Sequence, residues 1–277
     1  MVTTRSSWEY TSYALKSFFR TAKLENKDTL YLIDNDEGFE EEASWFSPRL
    51  QIIKNSSAQS FAHNVNQVMR IAKADKADLF ILHNDIIFTD NWLEPLLEAD
   101  SSSIVSSISN MHTEYDIAGL SWNSAIKLNE YIGREAKLKE LVKQHHSKTE
   151  GYKNVLSLQF FCLRVPFEIY EHIGELSEDF HIAGCEDHDY CLRARQAGFE
   201  VKYAKKSIVL HFNGKSTWAG GEGPAEREER EKHNYAVFEK KWGEKLSRFL
   251  LQNDQSVLSE LKLIEEERFN DIIRVLS

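Results

Sequence analysis

Three stretches of the sequence hold side chains able to act together on a charged substrate. His83-Asn84-Asp85 follows directly on the apolar run DLFIL at 78–82. A carboxylate there can reach a divalent cation, and the cation can hold a diphosphate, chemistry suited to hard oxygen ligands. Asn-Asp is also a common turn pair, which is the plainer reading. Glu186, Asp187, His188 and Asp189 open a helical pattern that continues from Tyr190 to Arg195. Capping and the helix dipole favour acidic residues at such a start. Three carboxyl groups in four positions exceed that need and repel one another, which raises a pKa toward the range of a general base. On a helix Asp187 and Asp189 project about 200° apart, so they face different partners. Arg193 lies four residues after Asp189, the spacing of a helical ion pair. His211 closes the apolar stretch SIVL at 207–210. A histidine at a strand end often has only structural partners, but a neutral imidazole can also complete a metal shell begun by carboxylates.

These residues need elements to carry them. TLYLI (29–33) ends in Asp34-Asn35-Asp36 and reads as a buried strand entering a loop. DLFIL reads the same way, so Asp34 and Asp85 each follow the end of a strand. Helices are expected over 8–23 and from Phe61 to Ala72, where Phe61, Val65, Val68, Met69 and Ala72 form an apolar stripe. A weaker strand covers 50–53, a short helix 92–98 and a strand 103–108. A mostly helical stretch follows at 122–148, then a strand at 155–164 and a helix at 187–197 stopped by Gly198. Two short strands are expected at 199–203 and 207–211, and helices from Ala225 to the end. Alternation of strand and helix over the first 110 residues or so predicts a parallel sheet with crossover helices. Ligands of such sheets bind beyond the carboxyl ends of the strands, so Asp34 and Asp85 point to one shared cleft.

The 277 residues suit one large domain, or one domain with an appendage. Hydrophobic residues make up 42%, enough to bury a core. The formal net charge of −10 argues against coating nucleic acid or an anionic membrane, because that binding is cationic. No apolar window approaches the length of a transmembrane helix, and the N-terminal residues lack a secretory pattern. Cys162, Cys185 and Cys191 are too few and too irregular for a disulfide framework or a structural zinc site, and read as reduced thiols of a cytosolic protein.

Four stretches, in order, resemble family 2 glycosyltransferases with the GT-A fold. They are TLYLIDND (29–36), SFAHNVNQV (60–68), DLFILHNDIIFTDNWLEPLL (78–97) and IGELSEDFHIAGCEDHDYCLRARQAGFEVKYAKKSIVLH (173–211). Together they span most of residues 2 to about 218. The resemblance implies an α/β fold with a mostly parallel, Rossmann-like central sheet at 1–222 and a helical extension at 223–277 packed on or beside it. It implies that Asp34 contacts the nucleotide, with Asn64, Asn66, Asn84, Thr4 and Lys215 on the nucleotide-sugar side. It further implies Asp85 and His211 as metal ligands, with His83 a third candidate. His83 stands where many members carry the first carboxylate, so that position would not bind metal through oxygen. Asp187 would be the general base, and Glu186 would support it or touch the acceptor.

The implied reaction moves a sugar from a UDP-, GDP- or dTDP-linked donor to a glycan, lipid-linked or protein acceptor hydroxyl, with inversion and with Mn²⁺ or Mg²⁺ as cofactor. Family members usually work in glycan or surface polysaccharide synthesis, in the cytoplasm or peripherally on the inner face of a membrane. Glycines at 214, 220, 221 and 223 suit a lid over the donor, and Lys215, Ser216 and Arg227 are candidates to touch the diphosphate. Residues 226–232 read as a solvated helix face, and 256–276 as an apolar helix docked on its own body. A catalytically silent GT-A binding module is one rival. A sugar nucleotidyltransferase is another, disfavoured because Thr4-Arg5-Ser6-Ser7 lacks the glycine-rich loop it would need.

Overall fold

The computed structural model describes residues 1–4, 7–35, 49–110, 127–215, 222–257 and 266–277. Strands β1 (Val2–Thr3), β2 (Leu30–Asp34) and β3 (Leu50–Lys54) form a parallel sheet with β2 in the centre. Helix α1 (Trp8–Thr21) makes the crossover from β1 to β2 and buries Ala14, Leu15 and Phe18 on one face. The register pairs Asp34 with Thr3 on one side and Lys54 on the other, so Asp34 stands at the carboxyl end of the sheet.

A second sheet holds β4 (Leu79–Leu82), β5 (Ile86–Phe88), β6 (Ser103–Ser109), β7 (Tyr152–Asn154), β8 (Cys162–Val165) and β9 (Glu200–His211). Its order is β4-β8-β6-β9-β5, with β7 also on β9. Only β6 and β9 run parallel in it, and the pairs β4–β8, β6–β8, β5–β9 and β7–β9 are antiparallel. The sheet is therefore more mixed than the expected pattern. The antiparallel partners all come from beyond the alternating first 110 residues, or pair with strands that do. A cavity of about 750 Å³ opens between β2, β4 and the helix that follows β3, and meets the acidic motif only through His83 and Asn84.

That helix, α2 (Phe61–Asp75), starts at Ser60, whose side chain accepts from His63 N, and stops at Lys76 in the left-handed conformation. Helices α3 (Glu94–Leu97), α4 (Leu128–Tyr131), α5 (Glu135–His146), α6 (Phe167–Ile173) and α7 (Glu186–Gln196) follow. The expected helix at 122–148 is thus two helices, parted at Gly133 with a φ of +81°, and residues 111–126 lie outside the described residues. The expected strand at 155–164 forms only from Cys162 onward. The two expected strands at 199–203 and 207–211 are one strand, and the register shift between Ser107 and Ile108 of β6 accommodates its irregular middle.

The chain closes with α8 (Pro224–Trp242), α9 (Glu244–Gln252) and α10 (Phe269–Leu276). Gly243 turns the chain between α8 and α9 at φ +82°, and a Cβ there would lie 2.7 Å from the Ser277 carbonyl carbon. These helices form one core with α7: Phe238, Trp242, Leu246, Phe269, Ile272 and Ile273 pack with Leu192, Leu156 and Phe180. Of the apolar positions expected to dock at 256–276, those in α10 are buried, and 258–265 lie outside the described residues.

Candidate active site

Antiparallel pairing of β5 with β9 builds the centre of the site. Ile86 pairs with His211, so the residue before Ile86, Asp85, is delivered beside His211, and Phe212 N donates to the Asp85 carbonyl. The Asp85 side chain is 1% exposed. Its Oδ1 lies 3.3 Å from His211 Nε2 and 3.7 Å from His83 Nδ1. Its Oδ2 accepts from the Lys215 backbone N–H at 3.0 Å. His83 is aimed by the end of β4, where its N–H donates to the Phe161 carbonyl. The Phe161 ring stacks on His211 with centroids 5.0 Å apart, and the His211 N–H donates to Asn110 Oδ1. Burial opposes the Asp85 charge, but His211 first and then His83 hold its carboxyl well below the usual carboxylate range.

One donor atom from each of His83, Asp85 and His211 falls within 4.8 Å of the others, a spacing that fits a shared cation. Asp85 Oδ1 and His211 Nε2 are buried with no hydrogen-bond partner, although each faces the cluster. Buried polar atoms normally find partners, so two such atoms pointing at one spot match a missing ligand. Two imidazoles and one carboxylate form a set suited to Mn²⁺, Fe²⁺ or Zn²⁺ more than to Mg²⁺, which favours oxygen.

The acidic residues expected to act as base and support lie at the start of α7. Glu186 is 4% exposed and its Oε2 accepts from Gly184 N. Burial, reinforced by the charge of Asp187, pushes its carboxyl up to about 8. Asp187 is half-buried, and its Oδ1 accepts from His188 N. Neither belongs to the metal-type cluster. A chain of contacts links that cluster to the loop before α7: the Ile182 carbonyl accepts from Phe61 N at the start of α2, and the Phe61 ring meets His83 edge-on at 5.8 Å.

The remaining sequence candidates have mostly protein partners. Asn84 Nδ2 donates to Ser7 Oγ and Thr11 Oγ1 at 2.9 and 2.8 Å, so this fully buried side chain turns toward α1 and away from Asp85. Asn64 accepts from Asn55 and donates to the Gln59 carbonyl. Asn66 holds Leu176 through both its N–H and carbonyl and also donates to Glu178. Thr4 bonds Ser7 through both its N–H and hydroxyl. Asp34 is buried at the end of β2. Lys215 contributes its backbone N–H to Asp85, Arg227 pairs with Glu231 at 2.7 Å, and Ser216 lies outside the described residues. Asp189 is fully buried and makes the expected pair with Arg193, at 3.0 Å.

Two residues escaped the sequence reading. Arg230 and Asn234 of α8 are buried and reach the loop before α7. The charged stretch around Arg230 reads as a solvated face, yet its side chain is 7% exposed and pairs with Glu222. The i, i+3, i+4 set of Arg230, His233 and Asn234 was the available signal.

No protein-family model matches the sequence, and no curated protein is significantly similar to it. Solved structures are similar in fold. GalNAc-T7, crystallised with UDP, GalNAc and Mn²⁺, matches with a TM-score of 0.59 at 12% identity, over 99% of this chain and 54% of that one. The mannosyltransferase PcManGT from Pyrobaculum calidifontis, in complex with GDP-Man and Mn²⁺, matches with a TM-score of 0.51 at 11% identity, over 86% and 62%. The chain spans less than two thirds of the length of either. What it has in common with them is the GT-A architecture, an α/β fold with a helical C-terminal part.

Proposed function

We propose that this chain is a divalent-metal-dependent glycosyltransferase that moves a sugar from a nucleoside diphosphate donor to an acceptor hydroxyl, with inversion at the anomeric carbon. One observation carries the reading: His83, Asp85 and His211 converge on one point of a GT-A fold, where buried Asp85 Oδ1 and His211 Nε2 face each other at 3.3 Å without a hydrogen bond. His83, Asp85 and His211 would hold the metal, which when bound neutralises charge on the departing diphosphate. Mn²⁺ suits this nitrogen-rich set better than Mg²⁺.

The chain's own groups supply the rest. Asp34 contacts the nucleotide at the end of β2. The Lys215 N–H fixes Asp85 Oδ2, leaving Oδ1 for the cation. Asp187 takes the proton of the attacking hydroxyl. Glu186, buried and with a raised pKa, stays protonated near neutral pH and adds no second negative charge beside Asp187. A diphosphate leaves without protonation, so one base suffices for an oxocarbenium-like transfer. The biological setting that fits is glycan or surface polysaccharide synthesis in the cytoplasm. Among the described residues no helix is long and apolar enough to cross a membrane.

The test is release of nucleoside diphosphate from a panel of UDP-, GDP- and dTDP-sugars with Mn²⁺, with and without EDTA. Metal-dependent release from one donor supports the reading. Binding without release from any donor would leave a silent module, and pyrophosphate release from a nucleoside triphosphate would indicate a nucleotidyltransferase. Asp187→Asn should cost at least about 10²-fold in turnover with donor affinity retained. Near-normal turnover would remove Asp187 as the base.

A further inference from the structure

The segment 181–185, which leads into α7, has an unusual backbone. Ile182 sits at φ +51°, Gly184 at +112° and Cys185 at +79°. Glycine tolerates this region, but a β-branched isoleucine and a cysteine do not adopt it without support from their surroundings. Ile182 is also 44% exposed, so its own burial does not hold it there.

The support comes from α8. Asn234 is 1% exposed and makes four hydrogen bonds to this loop. Its Oδ1 accepts from His181 N at 2.8 Å, and its Nδ2 donates to the carbonyls of His181, Ala183 and Gly184. Arg230, one turn earlier, donates to the Ala183 carbonyl at 3.0 Å while Glu222 holds its other nitrogens. His233, on the same face, stacks on His181 with centroids 3.5 Å apart and bonds the Asp179 carbonyl. Phe180 is buried in the core that α8 supplies. The far side of the loop is tied by the Ile182 carbonyl to Phe61 N. One helix face thus answers the carbonyls of His181, Ala183 and Gly184, three of the five in this strained loop, and the loop leads into Glu186 and Asp187.

We propose that α8 is a structural wall of the active site, in which Asn234 and Arg230 are positioning residues that hold 181–185 in its left-handed path and so aim Glu186 and Asp187 into the cleft. The catalytic half of this statement rests on the function proposed above, whereas the clamp itself does not. On this view the C-terminal segment is part of the site and not an appendage to it.

Cys185 reports on the loop directly. It is half-buried, burial pushes its thiol up to about 12, and Cys162 and Cys191 are fully buried and silent. The experiment measures the labelling rate of Cys185 by a thiol reagent in the intact chain, together with metal-dependent donor turnover. Asn234→Ala should speed labelling by about tenfold, the scale expected for losing buried hydrogen bonds. It should also lower kcat by a similar factor with donor KM nearly unchanged. Asn234→Ser serves if the alanine variant does not fold, and Arg230→Lys should restore part of what Arg230→Met loses, since the charge remains. Gly243→Ala disturbs the α8–α9 turn, away from the loop, so it should lower Tm while leaving labelling and kcat near wild type. Wild-type labelling in both Asn234 variants would overturn the clamp, and faster labelling with unchanged kcat would overturn its positioning role. If the wild type shows no turnover with any donor, the functional reading fails while the thiol readout still decides the clamp.

Discussion

Asp85 carries the heaviest load of any single side chain. It is buried, its carboxyl is held well below the usual carboxylate range by the two histidines, and it uses one oxygen for the Lys215 N–H while the other faces His211 and His83. In the wild type Mn²⁺ should raise Tm, because a ligand that binds only the folded state stabilises it by mass action. Asp85→Asn should abolish that shift and leave the apo fold intact, as read by thermal unfolding with and without Mn²⁺. An unchanged shift would place the metal elsewhere. Glu186 makes a different prediction. Its folded-state pKa is raised above the ordinary 4.5, so the folded state keeps a proton that the unfolded state releases. Stability contributed by this group is full below about pH 4.5 and falls as pH rises toward about 8. Glu186→Gln should therefore be more stable than wild type at pH 9 and equal to it at pH 4, in paired denaturant titrations. The opposite slope would show that Glu186 is ionised in the folded state.

At the scale of elements, the decisive contact is β5 on β9. Residues 85 and 211 are far apart in sequence, and only the antiparallel register Ile86 to His211 makes them neighbours. The next contact is α7 on the C-terminal helices. Asp189 is fully buried, bonds Arg193 from its own helix, and reaches Trp242 Nε1 and Lys241 Nζ of α8 at 2.8 and 2.6 Å. Removing one partner of a buried ion pair strands the others, so Asp189→Ala should cost about 3 kcal/mol, measured as a lower denaturation midpoint. Gly243 is the other fixed point. Its positive φ and the close approach of Ser277 leave no room for a side chain. Gly243→Ala should destabilise by about 2 kcal/mol, and a smaller loss than about 0.5 kcal/mol would mean that the α8–α9 turn relaxes freely.

At the scale of the whole molecule, one of the three buried clusters among the described residues forms where α8, α9 and α10 return to cover α7. A fragment of residues 1–222 would expose Phe180 and Leu192 and lose the Asn234 and Arg230 bonds. It should show no cooperative unfolding transition, whereas a sharp transition near the wild-type Tm would make 1–222 an independent domain. The strands at 30–34, 79–82 and 103–109 and the helices at 8–21 and 61–75 were legible in the sequence, because the strands are short runs buried on both faces and each helix buries one periodic face. The Asp85 motif was legible because polar residues follow an apolar run at a strand end, and the Glu186 motif because three carboxyl groups crowd a helix start. The strand at 155–164 was misread, since apolar side chains there fill the core from an irregular segment as well as from β8. Asn84 resembles a site residue by its neighbours in sequence, but the adjacent position on the turn points it at α1. Local patterning thus determined the kinds of elements and the chemical groups at their ends. Which groups meet was decided by strand register and helix docking, as with His83, Asp85 and His211, or Asn234 and the loop before Glu186. Those pairings depend on contacts between residues dozens to over a hundred positions apart, and no local period in the chain encodes them.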